Sequence, residues 1–255
     1  MEILTFDVCG KLAHFRKYYA NNTALSFSIP PRTTILGMMA CVLGLPKETY
    51  HEDWQADKLR IGVRVLSPMK KTFHRLNLLR IVGMEDFSGK SGRIQTPFEV
   101  ISGPDIKTDM VRYRIYLSCH PAGAAAFEKI KAAFLERKQV YALTLGTANF
   151  TAWLENVRLF AGGEIEQKEP NGFATIHSAV PSNMVTELRF DKEMEADQLE
   201  EDLLPGDFLA NHHRELSSLN RTLFSTTPHG IEVKIKKGFY ALNREQGPEN
   251  ILFLE

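Results

Sequence analysis

The sequence predicts an α+β protein in two parts, and three observations carry that prediction. Apolar periodicity alternates between strand and helix over residues 1–150, the stretch 68–100 fits no compact element, and beyond Gly146 only short strand-like runs recur. The first strand spans Ile3–Cys9, with Ile3, Thr5 and Asp7 on one face and Leu4, Phe6 and Val8 on the other, and Gly10 ends it. A basic and aromatic segment, Lys11–Ala20, follows. Pro30-Pro31 cannot lie inside a helix, but Thr33 or Thr34 is a good N-cap for the next element. Ile35, Leu36, Met39, Val42 and Leu43 then recur at helical spacing until Gly44 and Pro46 stop the helix. Leu59–Ser67 alternates apolar and basic residues, as a half-buried strand does. Phe73–Val82 and Arg93–Ile101 read as the arms of a protruding hairpin around a Gly-rich tip, Ser88–Gly92. Val111–Ser118 is a strand, the Ala-rich Ala122–Lys138 a helix with a basic C-terminus, and Val140–Leu145 a further strand. This βαββαβ order is the split, ferredoxin-like (RRM-like) arrangement, here over residues 1–150 with the hairpin at 68–100. Residues 151–255 read as a smaller β-rich domain. Its strands are Trp153–Phe160, Phe173–Val180, Val185–Phe190, Leu219–Ser225, Gly230–Ile235, Lys237–Leu242 and Ile251–Leu254, with an acidic, helix-prone Lys192–Leu204 among them.

Composition narrows the function classes. The 255 residues are 44% hydrophobic and 24% charged, which supports a sizeable core and argues against wholesale disorder. No apolar run reaches the roughly 18 residues of a membrane span. Glu2 and Asp7 near the start predict no secretory signal, and the odd set Cys9, Cys41 and Cys119 reads as buried thiols of a cytoplasmic protein, without disulfide or metal. The zero net charge hides an asymmetry. Residues 1–150 carry 21 Lys/Arg against 13 Asp/Glu, and residues 151–255 carry 10 against 18. No acid lies between Val8 and Pro46, and seven bases without an acid lie between Lys58 and Met84. Two acid-free basic stretches favour a polyanion partner over merely solvated faces.

Phosphate-loop, dinucleotide, Gly-x-Ser-x-Gly and His-Glu-x-x-His motifs are absent. The adjacent His212-His213 points in two directions on a helix and suits no shared metal, so no metal or cofactor is expected. The informative constellation runs from Gly10-Lys-Leu-Ala-His-Phe-Arg16 through Ser28-Ile-Pro-Pro-Arg-Thr-Thr-Ile-Leu-Gly37 to Cys41-Val-Leu-Gly44. Thr96-Pro-Phe-Glu-Val100, Arg112-Tyr-Arg-Ile-Tyr116 and Leu145-Gly146 add later landmarks.

These motifs resemble the Cas-five family of the RAMP superfamily, Cascade subunits of type I CRISPR systems, and the short C-terminal part looks closest to subtype I-B. The resemblance implies a non-catalytic, RNA-binding subunit in cytoplasmic antiviral defence. It would grip the 5′ handle of the CRISPR RNA (crRNA), cap the backbone-repeat subunits, contact the large subunit and meet target DNA indirectly. The hairpin would be its thumb. The residues agree with such a partner. The helix opening at Thr33 and Thr34 offers free N–H groups and a positive dipole end, and Arg32 before it adds a bidentate clamp. Lys11, Arg16, Lys17, Tyr18 and Tyr19 supply charge and stacking surface, with Phe15 as a core anchor, and Lys70, Lys71, His74, Arg75 and Arg80 form a phosphate track on one arm of the hairpin. Two rivals stay open. One is a metal-independent endoribonuclease that processes precursor crRNA, as in subtype I-C members, for which Tyr18 or Tyr19, Lys70 or Lys71, and His74 are candidates. The other is a pure protein-interaction module.

Overall fold

The computed structural model describes residues 1–47, 49–190, 198–209, 214–245 and 247–254. At its centre lies an antiparallel five-stranded sheet in the spatial order Leu59–Val65, Val111–Cys119, Glu2–Gly10, Thr151–Ala161, Leu143–Thr144. Alternation in the first strand sends Leu4, Phe6 and Val8 to one face. There they share a core with Ile35, Leu36, Met39 and Val42 of helix α1 (Arg32–Leu43) and with Phe127, Ile130 and Phe134 of helix α2 (Ala124–Leu135).

The opposite face is covered as well. Ile3, Tyr116 and Phe160 pack with Leu242, Ile251 and Phe253 from the C-terminal strands. Thr5 and Asp7 are therefore buried, and the polar groups at this junction are matched. Asp7 accepts Nε and Nη2 of Arg114 at 2.7 and 2.9 Å and Asn156 Nδ2 at 2.8 Å. Glu249 accepts the Tyr116 hydroxyl at 2.7 Å, Arg114 Nη1 at 3.2 Å, and the guanidiniums of Arg64 and Arg244. Burial pushes the Glu249 carboxyl up, but the three guanidiniums outweigh it and hold the group at about 2.

This layering corrects several expectations. Thr151–Ala161, read from sequence as the start of a second domain after residue 150, pairs with the first strand along its length. Val140–Leu145 shrinks to the two-residue edge strand Leu143–Thr144. The C-terminal chain is also stitched to the outer sheet edge, where Ala179 N–H donates to Val63 O at 2.7 Å and Leu254 N–H to Ile61 O at 2.8 Å. Ala179, Leu204, Phe224 and Leu254 enter the main core. Most of the later strands then form three three-stranded sheets, and the expected Phe173–Val180 strand is split into Phe173–Ile176 and Val180–Pro181. The acidic stretch expected as helix is instead a strand over Leu199–Pro205, paired with Leu219–Ser225. Residues 192–197 of that stretch and the His212-His213 pair lie outside the described residues.

Helix α1 starts earlier than its expected cap. Pro31 holds the N-cap position with no side-chain cap, and its carbonyl accepts the N–H of Thr34 at 2.9 Å and of Ile35 at 3.1 Å. Gly44 ends the helix at a left-handed φ of 71°, where a side chain would be strained. The hairpin forms, with its first arm at Lys70–Leu79 rather than Phe73–Val82, antiparallel to Arg93–Ser102. No helix among the described residues is long and apolar enough to cross a membrane, and no group of His, Cys, Asp and Glu among them could hold a metal. Cys9 is buried, which pushes its thiol up to about 12, while Cys41 and Cys119 are half-buried.

Candidate nucleic-acid interface

After the first strand the chain turns back on itself, and Phe15–Arg16 pairs with Ser26–Phe27 in a short ladder. Phe15 is buried, with Tyr113 edge-on at 5.7 Å, so it anchors this loop as expected. The loop forms one rim of an open cleft of about 640 Å³. Arg16 and Tyr18 line it, and Pro31, Thr33 and Thr34 at the opening of α1 form a wall. No side chain caps α1, so the positive end of its dipole lies at this wall, an arrangement that suits an anion. Arg16 is exposed, makes no ion pair among the described residues, and donates to the Ala20 carbonyl at 3.3 Å. The Tyr18 and Tyr19 rings are both exposed and meet edge to face at 5.0 Å.

Arg32 does not join them. It is 1% exposed, its Nε donates to Asp207 at 2.9 Å, and its Nη2 donates to the Trp54 carbonyl at 2.7 Å. The expected clamp is thus a buried structural pair, because Asp207 and the Trp54 carbonyl hold its guanidinium inside the fold. Lys17 and Lys71 are also taken. Lys17 Nζ lies 2.5 Å from Asp202, Tyr19 donates to the same carboxylate at 3.4 Å, and Lys71 lies 3.3 Å from Glu200. The acidic strand Leu199–Pro205 therefore folds onto bases of the N-terminal half, and the opposed net charges of the two halves partly cancel across this contact.

Lys11 donates to the carbonyls of Lys107 at 3.0 Å and Asp109 at 3.2 Å, and Lys70 to that of Pro104. Both lie beside an Asp109 carboxyl that the Asp105 N–H, Thr108 and these two lysines hold below the usual range. Along the hairpin the expected basic track splits. His74 stands opposite Phe98, which lines the cleft, whereas Lys71 and Arg75 alternate to the other face. Arg80 lies past the strand end, near Asp86. The groups considered for RNA cleavage have their hydrogen bonds elsewhere: Tyr19 to Asp202, Lys70 to Pro104, Lys71 to Glu200 and His74 to Thr72.

Sequence reasoning missed the floor of the cleft. His14 lines it, buried, with its ring stacked on Phe98 at 4.0 Å. Glu99 fixes two neighbours, accepting the Ser26 N–H on its carboxylate and His14 Nδ1 on its carbonyl, each at 2.7 Å. Gly146, at φ 99°, brings its backbone so close to the His14 carbonyl that no Cβ fits between them. His14, Phe98 and Glu99 all sit inside quoted motif stretches, but only the hairpin register brings those stretches together. The end of the hairpin carries an apolar patch just before its Gly-rich tip. Ile81, Val82, Met84 and Phe87 are exposed there, Val82 and Met84 at 83% and 86%.

A solved structure shares this architecture. The chain aligns with the crystal structure of a CRISPR protein from Archaeoglobus fulgidus over 98% of its own length and 99% of the other, with TM-score 0.57 at 16% identity. A chain from a CRISPR RNA-guided surveillance complex aligns over 90% of this chain and 91% of its own, with TM-score 0.49 at 12% identity. No curated protein matches the chain. Residues 3–120, which supply the first strand, α1, the hairpin and most of the cleft, match the family model for CRISPR-associated protein (Cas_Cas5).

Proposed function

We propose that this chain is a Cas-five-family subunit of a type I Cascade complex, of subtype I-B character, that holds the 5′ handle of the crRNA without cutting it. The observation that carries this reading is the cleft. It sets an exposed arginine, an exposed tyrosine and a helix N-terminus without a side-chain cap around one space, within the segment that matches the family model. Phosphate suits the helix end and Arg16, and Tyr18 offers a face for a base. The central sheet with α1 and α2 reads as ferredoxin-like, with Thr151–Ala161 as its fourth strand. An RNA-recognition fold commonly stacks bases on its sheet, but here both sheet faces are covered, so the RNA path runs through the cleft.

The hairpin serves as a thumb that rises from the cleft at Phe98. Its exposed Val82, Met84 and Phe87 suit an apolar contact with a backbone-repeat subunit. Contacts with the large subunit and, through the complex, with target DNA follow from the same role, in cytoplasmic antiviral defence. The test is incubation of the purified protein with a repeat-derived transcript in EDTA. A retarded complex whose RNA stays intact supports the reading. Metal-free cleavage would instead support the endoribonuclease reading, and failure to bind would overturn both.

A further inference from the structure

His14 is 2% exposed, yet its ring lines the cleft. The Glu99 carbonyl 2.7 Å from Nδ1 can only accept, so Nδ1 carries the proton. Burial lowers the pKa, and the Arg16 charge works in the same direction against the Glu99 carbonyl and carboxylate, which leaves the ring neutral at pH 7. In that tautomer Nε2 bears a lone pair, and no donor among the described residues reaches it. The ring cannot turn to find one. Phe98 stacks on it at 4.0 Å, and the His14 N–H is fixed to the Leu145 carbonyl at 2.9 Å. An acceptor held in one orientation on the lining of a cleft fits a ligand that brings the donor.

On the reading that the cleft takes RNA, we propose that His14 selects the base, its Nε2 accepting a hydrogen bond from the exocyclic amine of cytosine or adenine. Uracil places a carbonyl oxygen where that amine would be, and two acceptors then face each other. The nucleotide's phosphate would lie at the α1 opening beside Arg16, which puts backbone contact and base reading in the same cleft.

The decisive comparison is binding of the octanucleotides rC8 and rU8 to the full chain, because these bases match in size and charge and differ in the amine. Wild type is expected to bind rC8 about tenfold more tightly, the effect of one hydrogen bond. His14→Asn keeps a donor for the Glu99 carbonyl but lacks the outer acceptor, so the ratio of rC8 to rU8 affinity should fall to about one. His14→Gln places an oxygen near the Nε2 position and should retain part of the preference. Equal binding of rC8 and rU8 by wild type, or an undiminished preference in His14→Asn, would overturn the assignment. Absence of binding to either RNA would overturn the RNA reading itself.

Discussion

Replacing Arg32 separates a structural role from a ligand-binding one. Arg32→Met removes a guanidinium held by Asp207 at 2.9 Å and by the Trp54 carbonyl at 2.7 Å, and leaves Asp207 buried with its second oxygen on the Ala56 N–H at 2.8 Å. Stripping one partner from a buried ion pair costs about 3–5 kcal/mol, because the remaining charge is uncompensated. In a chain of 255 residues each kcal/mol lowers Tm by about 2–4 °C, so melting should fall by about 6–20 °C. Pairing the change with Asp207→Leu removes the stranded charge and should recover much of the loss. Thermal unfolding followed by circular dichroism reads both effects. Affinity for handle RNA, measured well below the melting range, should remain that of wild type. An unchanged Tm with weakened RNA binding would refute the reasoning and return Arg32 to the ligand.

Two further outcomes are expected. Glu200→Gln combined with Asp202→Asn releases Lys71 and Lys17 from their carboxylates and offers two more cations to a phosphate chain. Affinity for single-stranded RNA should rise and its log–log salt slope steepen by about 1.4, at about 0.7 per phosphate; an unchanged slope would show that these lysines lie off the RNA path. Glu249 sits at about 2 in the fold against 4.5 ordinarily, so its contribution is present above about pH 4.5 and lost as pH falls toward 2. Glu249→Gln should therefore be less stable at neutral pH and lose stability less steeply between those values, whereas an acid limb parallel to that of wild type would contradict the network.

Much of the fold is legible in the sequence, and the exceptions share a cause. Periodicity locates a strand but not its neighbours, so Thr151–Ala161 reads as the start of a new domain although its partner is the first strand. Thr5 and Asp7 share a strand face with Ile3 in the sequence pattern, but the C-terminal strands and Arg114 that bury them come from elsewhere in the chain. Leu199–Pro205 is acidic enough to resemble an exposed helix, yet Glu200 and Asp202 find cations on another element and Leu204 joins the main core. The same limit applies to the candidate site. Arg16, Tyr18, Thr33 and Thr34, singled out from local sequence, line one cleft, since the loop and the helix start that hold them are nearby in the chain. Local sequence fails for Arg32, Lys17 and Lys71, whose partners lie 175, 185 and 129 positions away. Counting acids near a base in sequence cannot detect a carboxylate delivered by tertiary structure.

The central claim is that phosphate is held at the α1 opening by Arg16. It is tested most directly by titrating repeat-handle RNA into wild type and Arg16→Ala across a range of salt. Wild-type affinity should fall steeply as salt rises, and Arg16→Ala should weaken binding by about 1–3 kcal/mol with its melting temperature unchanged, since Arg16 is exposed and makes no ion pair among the described residues. Equal affinity of the two proteins, or an affinity indifferent to salt, would contradict the account.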